Sequence, residues 1–330
     1  MANVNPTSSK HSNSHFDDLP TAAATGEEGA INPSHRLIVA SPELGEAQRA
    51  AVSEVIDAAG GYCLAQSQAG RSPYPSYHWD LDLSAAGAEK ALREGLGGLK
   101  LTFSLAPTQH RPKEPFLLCF DCDSTLITGE VIEMLAAYAG KESDVAEVTE
   151  RAMRGELDFE ESLRERVATL AGLEEKVIEQ VARAAVDKIT PGVREVVRLS
   201  HERGCRVAVV SGGFDAVLEG LQAELALDYV RANTLEIVDG KLTGRVTGTV
   251  VDRTAKARFL EEFAQDFGVE MAQTVAIGDG ANDIDMLQAA GLGVAFNAKP
   301  ALNEVADAQV QIEDMKILLN LLGWGGNELS

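Results

Sequence analysis

From residue 36 onward, short apolar segments alternate with amphipathic stretches, and their character changes near residue 115. In the first part, residues 37–40 (Leu-Ile-Val-Ala) and 62–66 read as strands. Residues 77–83 alternate apolar and polar as a half-buried strand does, and residues 99–105 put Leu101, Phe103 and Leu105 on one face. Helical spacing occupies residues 42–59, with Ser41 as the expected N-cap, Pro42 at the first position and Gly60-Gly61 as the stop. A second helix is predicted over 85–96, ended by Gly97-Gly98. The order is βαββαβ, a ferredoxin-like arrangement over residues 35–108. Residues 109–114, with Pro112, read as a linker. Residues 1–34 are rich in Ser, Asn, Thr, Ala and Gly without a hydrophobic period and are expected to be a disordered tail.

After residue 115 the apolar segments become continuous. Phe116-Leu117-Leu118-Cys119-Phe120 has the character of a strand buried on both faces of a parallel sheet. Helical periods then fill residues 130–186, with Asp158 as a cap and Glu161 completing an acidic capping box. Thr190-Pro191 is expected to open the next helix. Strands at 207–210 and 274–277, helices at 215–225, 256–267 and 283–290, and a hairpin over 235–251 around Asp239-Gly240 follow. Short apolar stretches at 293–296 and 308–312 complete the pattern. This is α/β alternation, a Rossmann-like parallel sheet over 115–330, with a helical cap at about 128–188 inserted after the first strand.

Charge narrows the function classes. The 330 residues carry 29 basic and 51 acidic side chains, a net charge of −22. Residues 1–114 hold 9 basic and 13 acidic groups, and the rest hold 20 and 38, so the excess lies in the second part. Such a surface excludes a general nucleic-acid or anionic-membrane role, which needs clustered Lys and Arg. No apolar run is long enough for a transmembrane helix, and the first residues lack a basic-then-apolar pattern. Four cysteines in a chain of this length are no disulfide scaffold, and a reducing cytoplasm is the expected setting. Cys119 and Cys122 form a lone C-x-x-C without a second pair or a nearby His, so packing explains them better than zinc or redox chemistry.

Three apolar strands end in polar clusters: Asp121-Cys122-Asp123-Ser124-Thr125, Ser211-Gly212-Gly213, and Gly278-Asp279-Gly280-Ala281-Asn282-Asp283. In an open α/β sheet, ligands bind beyond the carboxyl ends of the strands, where these clusters would meet. Close carboxylates repel unless a cation joins them, and an oxygen-rich site facing a phosphoryl group suits Mg²⁺. One carboxylate of the Asp121/Asp123 pair can attack phosphorus to give an aspartyl-phosphate while the other handles protons. Ser211, the Gly212 amide and Lys256 would hold the phosphoryl oxygens.

These three clusters, together with the downstream Lys256, resemble the four motifs of the haloacid dehalogenase superfamily. Residues 121–130, 152–167, 211–215 and 278–286 are similar, more closely, to its phosphoserine phosphatase family. The resemblance covers residues 115–330. It implies Mg²⁺-dependent hydrolysis of O-phospho-L-serine, the last step of serine synthesis, with Asp121 as nucleophile and Asp123 as general acid/base. It further implies Mg²⁺ on the Asp121 carboxylate, the Asp123 backbone carbonyl and Asp279, with Asp283 supporting a metal-bound water. Ser211, Gly212 and Lys256 bind the phosphoryl group, and Asn282 borders the substrate. In the cap, the resemblance makes Glu130 the contact to the substrate ammonium and Arg166 the contact to its carboxylate, with Met153 and Phe159 as pocket walls. A zwitterionic amino acid needs one anion and one cation, and the guanidinium fork fits a carboxylate.

The βαββαβ segment looks like an ACT-type module, which implies regulation or oligomerisation: an amino-acid effector at the N-terminal domain and a homodimer. Two other readings carry different expectations. One is a phosphatase or phosphotransferase for another small phosphorylated amino acid such as phosphohomoserine. The other is a catalytically silent amino-acid sensor, which intact Asp121, Asp123, Lys256 and Asp279 argue against.

Overall fold

The computed structural model describes residues 32–70, 73–108, 114–154 and 156–324. Most of the expected tail (1–31) and residues 109–113 of the expected linker lie outside the described residues, as does the side chain of Met153. Among the described residues, no helix is long and apolar enough to cross a membrane.

The first part contains β1 (His35–Ala40), α1 (Glu46–Ala58), β2 (Tyr62–Gly70), β3 (Ser76–Asp82), α2 (Ala88–Gly98) and β4 (Thr102–Pro107). Its four strands are antiparallel in the order β2-β3-β1-β4. One face of these strands is apolar at alternate positions: Leu37 and Val39, Trp79 and Leu81, Phe103 and Leu105. It packs on Val52 and Ile56 of α1 and on Leu92 and Leu96 of α2. The helix start at Ser41-Pro42 is corrected. The Ser41 hydroxyl accepts from the Glu43 amide at 3.3 Å, closing a local turn, and α1 begins only after Gly45, whose amide donates to Gln48 Oε1 at 3.1 Å. A hydroxyl that bonds its own neighbours competes with helix initiation. The expected stop at Gly97-Gly98 also shifts: α2 runs through both glycines, and the turn falls on Lys100 at φ 53°.

The second part begins with β5 (Leu117–Phe120). Four helices follow: α3 (Val131–Ala139), α4 (Glu142–Met153), α5 (Phe159–Ala168) and α6 (Glu175–Asp187). They form a cap whose two crossovers run side by side. The Thr128 amide donates to the Lys188 carbonyl at 2.8 Å, and the Thr190 amide to the Leu126 carbonyl at 2.9 Å. Asp158 and Glu161 form the expected reciprocal cap of α5, at 2.8 and 3.0 Å. Next come α7 (Val193–Glu202), β6 (Arg206–Phe214), α8 (Asp215–Leu225), β7 (Tyr229–Val238), β8 (Lys241–Thr247) and α9 (Arg253–Phe267). Last are β9 (Thr274–Gly278), α10 (Ile284–Ala289), β10 (Leu292–Phe296), α11 (Pro300–Asn303), β11 (Ala308–Val310) and α12 (Ile317–Leu321). The helix expected at Pro191 starts instead after Gly192, at φ 85°. A Cβ on Gly192 would lie 2.3 Å from Asp314 Oδ1, so only glycine admits the C-terminal segment here.

The two parts share one mixed sheet of eleven strands, ordered β2-β3-β1-β4-β11-β10-β9-β5-β6-β7-β8. Strands β11 to β7 are parallel, β8 is an antiparallel edge, and β4 pairs antiparallel with β11 through Ser104–Ala308 and Phe103–Gln309. The helix α12, which no sequence pattern suggested, closes the junction. Asn320 donates to the Tyr74 carbonyl at 2.8 Å, and the Tyr74 hydroxyl to Asp314 at 2.6 Å.

Candidate active site

Parallel register brings the three polar clusters together. Phe120, the last residue of β5, lies opposite Val209 of β6 and Ile277 of β9. The residues that follow, Asp121, Ser211 and Asp279, therefore emerge at one sheet edge. The Asp121 amide donates to the Ile277 carbonyl at 2.8 Å and fixes this alignment.

Lys256 sits at the centre of the charged cluster. It belongs to the buried stripe of α9, with Leu260, Phe263 and Ala264, and its side chain is 0% exposed. Its Nζ lies 2.8 Å from Asp121 Oδ1 and 2.7 Å from Asp283 Oδ1. Burial opposes its charge, but the two carboxylates prevail and hold its pKa above the ordinary value. Asp283 is also fixed by the amides of Asp279 (3.2 Å) and Gly280 (3.1 Å). Gly278 leaves it room, since a Cβ there would come 2.4 Å from the Asp283 carboxyl carbon.

Asp121, Asp279 and Asp283 each offer a carboxylate oxygen, and these atoms all lie within 4.8 Å of one another. Burial and the Asp283 charge push Asp121 well above the usual carboxylate range, with Lys256 opposing. Burial, then Asp283 and Glu130, raise Asp279 to about 6. Crowded, desolvated carboxylates of this kind are a donor set for a hard divalent cation.

Asp123 lies across from the last residues of β6. Its Oδ1 accepts from the Val131 amide at 2.9 Å, at the start of α3. A Cβ on Gly213 would come within 3.5 Å of its Oδ2 and 3.1 Å of Ser211 Oγ. Burial, followed by the Glu130 charge, raises Asp123 to about 7 against the Val131 amide and Lys256. Ser211 is fully buried, and its Oγ accepts from the Gly213 amide at 2.8 Å.

The cap reaches this centre through α5 and the start of α3. A Cβ on Gly212 would lie 3.2 Å from Phe159 Cζ, so Phe159 stands against the glycine segment. Glu130 immediately precedes α3, and its Oε1 accepts from the Ser124 hydroxyl at 2.9 Å. Arg166 is partly buried in the last turn of α5, and its Nε donates to the Ser162 carbonyl at 3.3 Å. Among the described residues its two Nη groups have no hydrogen-bond or ion-pair partner. Burial lowers its pKa, opposed by Glu130 and Asp123. Phe159, Arg166, Ser162 and Thr149 line a cavity of about 280 Å³ in the cap. Asn282 is half-buried in the turn between Asp279 and Asp283.

Sequence reasoning missed two residues that hold the site. The Thr125 hydroxyl lies 3.3 Å from Asp279 Oδ1. Asn233 of β7, 1% exposed, donates to the Gly212 carbonyl and accepts from the Val251 amide, both at 2.8 Å. The available signal for Asn233 was an asparagine inside a strand pattern, where that residue is depleted.

Residues 118–288, just over half of the chain, match the family model for haloacid dehalogenase-like hydrolases. The chain belongs to the haloacid dehalogenase-like hydrolase family. It is 60% identical over 207 residues to a phosphoserine phosphatase of Mycobacterium tuberculosis, covering 63% of this chain and 50% of that relative. The chain thus spans half the length of that curated relative. Among solved structures, a probable phosphoserine phosphatase from Vibrio cholerae in unliganded form matches at 38% identity with a TM-score of 0.68, over 87% of this chain and 86% of that one. A phospho-aspartyl intermediate analogue of phosphoserine phosphatase matches at 44% identity and a TM-score of 0.59, over 63% of this chain and 99% of that one.

Proposed function

We propose that this chain hydrolyses O-phospho-L-serine to serine and phosphate through a phospho-Asp121 intermediate. The observation that carries the reading is the convergence of Asp121, Asp123 and Lys256 with the Ser211–Gly213 segment, beneath a cap that presents Glu130 and an Arg166 guanidinium whose Nη groups have no partner among the described residues. The names of the relatives support the same substrate.

In the first step Asp121 Oδ attacks phosphorus and the ester P–O bond breaks. Asp123 gives its proton to the departing serine oxygen. In the second step Asp123 takes a proton from water, which attacks the aspartyl-phosphate and frees Asp121. A group with pKa about 7 populates both forms near neutrality, as this exchange requires. Ser211 Oγ, the Gly212 amide and Lys256 hold the phosphoryl oxygens. The donor set fits Mg²⁺: Asp121, Asp279 and Asp283 would hold it, with the Asp123 carbonyl. Bound there, Mg²⁺ would offset the repulsion between an anionic nucleophile and a phosphate dianion. Arg166 pairs with the substrate carboxylate and Glu130 with its ammonium. Asn282 borders the substrate, and Phe159 walls its pocket.

We read β1–β4 with α1 and α2 as an ACT-like regulatory or oligomerisation module that binds an amino-acid effector, a reading supported by the β2-β3-β1-β4 order. Four free thiols support a cytoplasmic setting.

The test is phosphate release with Mg²⁺ from phosphoserine, phosphothreonine and phosphohomoserine, for the wild type and Asp121→Asn. Fastest turnover of phosphoserine and loss of at least a hundredfold in the variant are expected. Equal activity in the two proteins overturns the nucleophile, and a preference for phosphohomoserine overturns the substrate.

A further inference from the structure

The Ser211-Gly212-Gly213 segment, where β6 departs from regular register with β7, carries two residues without side chains, so its own sequence does little to hold it in one conformation. Its central peptide is nevertheless pinned at both polar atoms. The Gly213 amide donates to Ser211 Oγ at 2.8 Å, and the Gly212 carbonyl accepts from Asn233 Nδ2 at 2.8 Å. The other end of the same carboxamide, Asn233 Oδ1, accepts from the Val251 amide at 2.8 Å. Val251 leads directly into α9: Asp252 caps that helix by accepting from Ala255 at 2.8 Å, and the Lys256 amide donates to the Asp252 carbonyl at 3.0 Å.

From this geometry we infer that Asn233 is the positioning residue that sets the spacing between the two phosphate-holding elements, the glycine segment and the Lys256 helix. The inference rests on the phosphoryl-transfer reading above. Among the described residues, the Asn233 carboxamide bonds to Gly212 and Val251 and not to Asp121, Asp279 or Asp283, and Asn233 does not line the cap cavity. A carboxamide is suited to the position because it donates on one side and accepts on the other without charge. In Asn233→Asp, an ionised carboxylate would turn a second acceptor toward the Gly212 carbonyl and leave it without its donor. The protonated carboxyl of the same variant is again a donor and an acceptor of nearly the same shape.

The experiment compares the full chain with Asn233→Asp and Asn233→Ala. Five quantities are read: kcat and KM on phosphoserine and on p-nitrophenyl phosphate, inhibition by inorganic phosphate, Mg²⁺ affinity by calorimetric titration, and Tm. At pH 8 both variants should lose tenfold or more in kcat and bind phosphate at least tenfold more weakly, with Mg²⁺ affinity within twofold of the wild type. The activity of Asn233→Asp relative to wild type should climb several-fold as pH falls from 8 to 5.5, while that of Asn233→Ala stays flat. A structural role alone would lower Tm and the active fraction but leave KM and phosphate inhibition of the folded protein unchanged. Unchanged phosphate inhibition, or a pH-independent ratio for Asn233→Asp, overturns the inference. A wild type that turns over p-nitrophenyl phosphate but not phosphoserine overturns the substrate reading alone, because the positioning role is still read on the synthetic ester.

Discussion

Replacing Lys256 by Met tests whether the charged centre is held as described. The substitution keeps an unbranched apolar side chain in the α9 stripe and removes only the ammonium. Asp121 and Asp283 then face each other buried, having lost a cation that sat 2.8 and 2.7 Å away. Removing one partner from a buried ion pair costs about 3–5 kcal/mol, because the other charge stays desolvated. Domains of 150–250 residues lose about 2–4 °C of Tm per kcal/mol, and larger ones sit at the low end, so a fall of about 6–10 °C is expected without metal. The loss depends on pH in a defined direction. Asp121 already has a folded pKa above its unfolded value, so its contribution to stability is complete below the unfolded value and is lost as pH rises through the folded one. Without Lys256 its folded pKa rises further, so the gap between wild type and variant widens as pH rises through the wild-type folded value and never narrows between pH 5 and pH 8. Calorimetric Tm values in EDTA across this range are the assay, and Lys256→Met/Asp283→Asn should recover part of the loss. A gap under about 2 °C at pH 8, or one that narrows as pH rises, would refute the argument.

Two further predictions concern the metal and the cap. Asp279, with a pKa of about 6, must lose its proton before a cation binds, so the rise in Tm on adding Mg²⁺ should be small at pH 5 and full at pH 7.5, with proton release measurable by titration in buffers of different ionisation enthalpy. Equal Mg²⁺ stabilisation at both pH values would contradict it. Arg166→Lys replaces a two-pronged donor by a point charge, so KM for phosphoserine should rise about tenfold or more, while KM for p-nitrophenyl phosphate, which has no carboxylate, should change less than twofold.

The parts of this molecule most legible in its sequence are those where one residue type performs one task. A five-residue apolar run, too short for a helix of usual length, fits a strand covered on both faces, and β5 takes up four of its residues. An Asp followed three residues later by Glu closes its reciprocal cap within one helical turn, and α5 shows it. Asp121, Ser211 and Asp279 were readable as one site because parallel strands of similar depth must release their next residues at the same edge. Lys256 carried a second signal in its spacing to Leu260 and Phe263, which puts a charge on an apolar helical face. Legibility fails where an arrangement depends on backbone atoms or on distant chain segments. Pro191 is a plausible helix start by type, but Asp314 approaches so closely that Gly192 takes the boundary. The β4–β11 pairing that joins both parts into one sheet is made by main-chain groups, and an edge strand carries no side-chain code for which other edge it meets. Asn233 combines both difficulties: its two partners are a carbonyl and an amide, 21 and 18 residues away in sequence. The chemical groups of a site can therefore be named from their types and order, while the carboxamide that sets their spacing becomes visible only when the chain is folded.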